Sequence, residues 1–241
     1  MDRLLHWIDI MREINTFKLI SSFIFRMTFF SIALLWPAGV WYWWEAWVIV
    51  LLWTVYGIFQ LQYLLRHDPE LLAERLKLVP LQKDQKIWDK IIMLQFLVVG
   101  ITLYIIPGLD IVRYGWSEPL ALWMRVFAMV AHIPCFVVLA WVMRENTFLS
   151  QVVKIDEKRG HQVISSGPYA LVRHPMYTII IILLFVVPVA LGSRIGLIPA
   201  TYLTVLLVIR TYFEDKTLYG ELAGYKAYTK KTRYRLVPGL W

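Results

Sequence analysis

"HPMYTIIIILLFVVPVALGSRIGLIPATYLTVLLVIRTYFEDK", residues 174–216, decides the fold. It holds two apolar runs, 176–192 and 195–213, separated by little more than Gly192-Ser193-Arg194. A helix needs roughly 17–25 apolar residues to cross a bilayer, and both runs reach that length. So short a link makes them a tight helical hairpin. The segment His174 to Tyr177 then enters the first helix at the same end where Arg210 to Asp215 leave the second. Pro175 suits the first turn of a helix, where no amide donor is needed. His174 is therefore the capping or entry residue.

Working outward, four more apolar windows stand at 18–36, 43–65, 89–107 and 120–143. Of the 241 residues, 59% are apolar and 17% charged, and mean hydropathy is +0.58. A soluble domain has about 45–50% apolar and about 25% charged residues. The fold expected is an all-α integral membrane bundle of about six transmembrane helices, without a Rossmann domain. It forms one membrane domain over 1–241. Residues 1–143 supply the N-terminal spans, and 144–241 form a half with the hairpin and a polar C-terminal tail.

Of the 25 Lys and Arg residues, only Arg26, Arg113, Arg125 and Arg194 fall outside the segments that are cytoplasmic if the N-terminus is inside. That bias predicts an even number of spans with both termini cytoplasmic. It also accounts for the net charge of +8 without nucleic acid, for which no recognition motif is present. MDRLLHWIDIMREINTFK, residues 1–18, lacks a signal-peptide pattern and reads as an interfacial amphipathic helix or the start of the first span. WPAGVWYWWEAW, residues 36–47, carries five tryptophans and reads as an interfacial belt. The single cysteine, Cys135, excludes a disulfide framework within the chain.

Chemistry-bearing residues cluster in the second half, on the cytoplasmic side: RGHQVISSGPY (159–169), VRHPMY (172–177) and RTYFED (210–215). Arg173, His174 and Tyr177 could be ordinary interfacial anchors. Arg210 and Glu214, four apart, share a helix face and could be a structural ion pair. On neighbouring helices that face one compartment, the same groups could instead build a pocket with cationic, anionic and aromatic walls. Such a pocket suits a zwitterionic, nucleotide-like ligand. No GxGxxG or GxxxxGK[ST] is present. His161 and His174 have no third ligand at metal spacing, so no metal site is expected.

The stretches RGHQVISSGPYALVRHPMY, RTYFEDKTL and LAGYKAYTKKTRYRLVPGLW resemble the isoprenylcysteine carboxyl methyltransferase family, in its bacterial and archaeal branch, related to phospholipid methyltransferases. The resemblance is strong over about 144–241 and looser before it. It implies a membrane enzyme that binds S-adenosyl-L-methionine at its cytosolic face and methylates a lipophilic acceptor. His161, Gln162, Val163 and Ile164 would line the cofactor beside Tyr169. His174, Pro175, Met176 and Tyr177 would continue the wall. Glu214 would meet the cofactor's amino group, and Arg210 would face the acceptor as the catalytic and substrate-binding residue. Ile179 stands where many members have glycine, and Leu222-Ala223-Gly224 replaces the usual FG. A carboxylate acceptor needs no base, unlike an amine. A lipid carboxylate is therefore the leading expectation, with a lipid amine or thiol, an NADPH-dependent sterol-reductase-like enzyme and a non-enzymatic scaffold as alternatives. Oligomeric state is not indicated. The methyltransferase reading requires that Tyr177 and Glu214 meet.

Overall fold

The computed structural model describes residues 16–76, 85–149, 153 and 160–241, and among these every regular element is helical. Residues 1–15 of the expected interfacial helix lie outside the described residues. The helices are α1 (Thr16–Ala38), α2 (Trp44–His67), α3 (Pro69–Arg75), α4 (Ile87–Pro107), α5 (Leu122–Glu145), α6 (Pro175–Ala190), α7 (Leu197–Glu221) and α8 (Tyr225–Lys231). A π-helical turn, Gly108–Arg113, prolongs α4, and a 3-10 turn, Gly167–Ala170, precedes α6.

The six apolar windows become α1, α2, α4, α5, α6 and α7. Five of them are long and apolar enough to cross a membrane. The sixth, α6, has only 16 residues, about 24 Å at 1.5 Å per residue, against a hydrocarbon core of about 30 Å. Its partner in the hairpin, α7, has 25. The last polar turns of α7 therefore run on beside the start of α6, where the chain before α6 is turn and loop.

The outer surface explains the composition. Phe25, Phe29, Leu51, Val55, Val98, Phe127 and Val137 are all exposed. In water such a surface would be an association liability. In lipid it is the required exterior of helices whose backbone polar groups are satisfied internally. Inside, Leu34 of α1, Ile49 of α2, Leu103 of α4, Leu191 beside the hairpin turn and Leu203 of α7 share the main apolar core. The α5–α6 contact is the most extensive in the molecule. Ile179 belongs to it, packing with Cys135, Phe136 and Leu183. Four of the five clustered tryptophans, Trp36, Trp41, Trp44 and Trp47, are exposed as a belt requires, while Trp43 is buried.

The end of the bundle at the hairpin turn is locked by polar groups inside it. Asp110, fully buried, accepts hydrogen bonds from Ser193 Oγ at 2.6 Å and Ser117 Oγ at 3.0 Å. Ser193 in turn accepts from the Gly196 amide at 2.9 Å. Arg125 of α5 pairs with Glu45 of α2. Gly108 allows the π turn to touch α1 backbone to backbone: a Cβ there would lie 3.0 Å from Ala38 N and 3.1 Å from Leu34 O. These contacts tie the hairpin turn to the π turn and α5 to α2.

Candidate functional site

At that opposite end the chain enters α6 as expected, with Pro175 as its first residue and His174 before it. The C-terminal tail holds this entry in place. Arg173 N donates to Tyr234 O and His174 N to Arg235 O, each at 2.9 Å, and Thr178 Oγ1 donates to Leu236 O at 2.8 Å. The backbone groups just before α6 are thus satisfied by the tail.

The acidic pair on α7 splits into two jobs, because adjacent residues on a helix point about 100° apart. Asp215 faces away from the open space and is only 5% exposed. Its carboxylate takes a two-pronged contact from Arg173, at 2.7 and 3.0 Å. It also accepts from Arg235 Nε at 2.9 Å and the Tyr225 hydroxyl at 2.8 Å, with His174 Nε2 at 3.4 Å. Fork-to-carboxylate geometry of this kind is strong and directional. Burial alone would lower the Arg173 pKa, but the hydrogen bond and charge of Asp215 outweigh it and raise it above its ordinary value. The Tyr225 phenol is pushed up, first by burial and then by the Asp215 charge. Asp215 is therefore the knot that ties α6, α7, α8 and the tail together.

Glu214 faces the other way. Its Oε2 accepts a 2.5 Å hydrogen bond from the Tyr177 hydroxyl, so α6 and α7 meet where the functional reading requires. The His174 ring stacks on Tyr177, with 5.7 Å between ring centres and 3° between planes. The Arg210 guanidinium lies 5.4 Å from the Tyr177 ring centre.

A cavity opens between these walls. Its lining includes His161, Gln162, Val163, Ile164, Tyr169, His174, Pro175, Met176, Tyr177 and Glu214. All ten residues expected around a cofactor thus share one concavity. It also includes residues that sequence reasoning did not single out: Asn146, Phe148, Leu149 and Val153 after α5, and Leu218, Leu222, Tyr225 and Tyr228. RENTFL, residues 144–149, carried the only signal for the first group, and the tail tyrosines the only signal for the last. Asn146 Nδ2 donates to the Tyr169 hydroxyl at 2.9 Å, while burial raises the phenol's pKa. Phe148 stacks on His161 with 4.8 Å between ring centres. Leu222, from the segment that departs from the family pattern, packs with Val142, Tyr169, Tyr225 and Tyr228.

Arg210 is not part of this lining. It is buried, and its Nε donates to Asp89 Oδ1 of α4 at 2.8 Å. Asp89 is fully buried and also accepts from Gln85 Nε2 at 2.7 Å and the Val153 amide at 3.0 Å. The i, i+4 spacing does put Arg210 and Glu214 on one face of α7, and both contact Tyr177. The Asp89 partner, 121 residues away, was not legible from spacing. Among the described residues no group of His, Cys, Asp and Glu could hold a metal ion.

The cavity can accept an ammonium at Glu214, stack planar groups on its tyrosines and bury an apolar moiety at Leu218 and Leu222. Residues 124–220 match the model of the Isoprenylcysteine carboxyl methyltransferase (ICMT) family. No curated protein matches the chain. The family match and the membrane-spanning helices support a membrane methyltransferase.

Proposed function

We propose that the cavity between α6, α7 and the tail binds S-adenosyl-L-methionine, and that the enzyme transfers its methyl group to a lipophilic carboxylate, as in prenylcysteine carboxyl methylation. The observation that carries this reading is the Tyr177–Glu214 hydrogen bond at the edge of a cavity lined by all ten expected residues. Tyr177 engages Oε2 of Glu214, and Oε1 is assigned to the ligand's ammonium as a charge-assisted contact. The tyrosine-rich walls suit an adenine and a sulfonium. The cavity is taken to face the cytoplasm, with both termini, from the distribution of Lys and Arg.

The bound cofactor supplies an electrophilic methyl group on a sulfonium. Transfer to an acceptor carboxylate oxygen would form the new bond to that methyl carbon and leave the carbon–sulfur electron pair on sulfur, so the products would be a methyl ester and a neutral thioether. No proton moves. The protein's work is therefore alignment and exclusion of water, and fixing the reacting atoms about 3–3.5 Å apart can supply much of the rate. Arg210 is where the sequence reading and the geometry pull apart. Held by Asp89 behind the Tyr177 ring, it is proposed to position Tyr177 and Glu214 rather than to touch the acceptor. Arg210→Ala should then weaken S-adenosylhomocysteine binding and transfer together, and Arg210→Lys should restore part of both. Loss of transfer with unchanged binding would return Arg210 to the acceptor side.

The deciding experiment is calorimetry with the purified chain. Saturable S-adenosylhomocysteine binding, lost on Glu214→Ala, supports the methyltransferase reading. NADPH binding in its place supports a reductase, and binding of neither supports a scaffold. Membrane extracts incubated with methyl-labelled cofactor would then show by mass spectrometry whether a carboxylate, an amine or a thiol gains the methyl.

A further inference from the structure

Met176 belongs to two walls at once. It lines the polar cavity, and it also lines a second, partly open space among α2, α4, α5 and α6. That space is apolar, bounded by Trp53, Leu103, Leu139, Leu183 and Val187, with few polar groups, chiefly Tyr56, Gln60 and Arg75. Arg75 ends α3 and points its Nη2 to within 3.9 Å of Met176 Sδ. The position of α3 is fixed from both ends: Asp68 accepts from the Leu71 amide at 3.0 Å, and Arg26 of α1 donates to Arg75 O at 3.0 Å. Arg75 also borders a third space facing α1. A guanidinium thus stands where an apolar intramembrane slot comes closest to the cofactor cavity, with one unbranched methionine between them.

From this arrangement we infer that the slot lined by Trp53, Leu139 and Val187 holds the acceptor's apolar chain, with the acceptor's carboxylate on Arg75 and Met176 as the movable septum through which it reaches the methyl group. The inference rests on the proposed methyltransferase function and adds to it the acceptor's seat. Arg75 lies outside the family-matched residues 124–220. A planar guanidinium matches a carboxylate bidentately, and away from water that contact is stronger than at the surface. Methionine's three rotatable bonds let it move aside without backbone change. Arg210 lines none of the three cavities, which leaves Arg75 as the cation of this slot.

The test uses the full chain in lipid nanodiscs, with N-acetyl-S-farnesylcysteine as probe and its methyl ester as the uncharged control. Arg75→Gln should weaken binding of the free acid at least tenfold, leave the ester unchanged and keep S-adenosylhomocysteine affinity within twofold. Arg75→Lys should recover part of the loss. Equal binding of the acid by wild type and Arg75→Gln would overturn the assignment. So would equal weakening of acid and ester, or failure of wild type to bind the acid while it still binds S-adenosylhomocysteine. If Arg75→Gln also loses S-adenosylhomocysteine, Leu139→Trp decides: blocked acid binding with cofactor-product affinity retained supports the slot, and unchanged acid binding overturns it. A wild-type chain that binds no S-adenosylhomocysteine would instead fail the methyltransferase reading itself.

Discussion

The two ends of the bundle both bury carboxylates, and they differ in whether those groups border a cavity. At the hairpin-turn end, Asp110 is clasped by Ser193 and Ser117, and Glu45 is paired with Arg125. None of the three cavities touches these groups. At the other end, Asp215 is engaged by Arg173, Arg235 and Tyr225, while Glu214 on the same helix turn borders the cavity. Ionisable residues in a membrane protein are a pointer to function, but burial and charge do not separate the two ends. What separates them is whether the carboxylate faces a space that a ligand can fill.

The comparison is broken most directly by exchanging the charges. Glu214→Ala should abolish S-adenosylhomocysteine binding, a drop of at least about a hundredfold if it removes a charge-assisted contact worth roughly 3 kcal/mol. Asp110→Asn should leave binding within twofold. Equal losses would mean that both carboxylates only hold helices in place. Asp215→Ala strands Arg173, Arg235 and the α8 tyrosine around a vanished partner. Removing one member of a buried charged network costs about 3–5 kcal/mol, so thermal unfolding in detergent should fall by many degrees and binding should be lost with it. An unchanged melting temperature would remove Asp215 from its place as the knot.

His174→Ala takes away the ring stacked on Tyr177 and should weaken S-adenosylhomocysteine about tenfold, roughly 1.4 kcal/mol; unchanged affinity in calorimetry would remove it from the wall. The smallest effect concerns alkaline pH. The Tyr225 pKa is raised in the folded protein, and the unfolded phenol titrates near pH 10. Its contribution to stability is therefore fully present below about pH 10 and is lost as pH rises toward the folded value. Melting temperature should decline above about pH 10, and Tyr225→Phe should flatten that decline. A variant with the wild-type slope would place the alkaline sensitivity elsewhere.

Much of the molecule was legible before its structure. The apolar windows gave all six long elements, and the short Gly192-Ser193-Arg194 link gave the hairpin, because hydrophobic length and turn chemistry are local properties. The ten cavity residues were also legible, since they lie in three short segments whose residue types carry the family pattern. The Asp89–Arg210 pair, the division of labour between Glu214 and Asp215, and the Asn146 and Phe148 wall were not. Each depends on contacts between segments far apart in the chain, and side-chain spacing within one helix cannot supply the facing partner.

The amino-acid order alone therefore determined that the chain is a helical membrane bundle, and which polar residues collect near the start of α6 and the end of α7. Only the packed molecule decided which of two adjacent acids looks into open space, which arginine is neutralised by α4, and which arginine stands over an apolar slot. The reason is physical. Helix formation and membrane insertion follow from composition over a score of neighbouring residues. A cavity is what remains between elements after they pack, so its walls are fixed by tertiary distances alone.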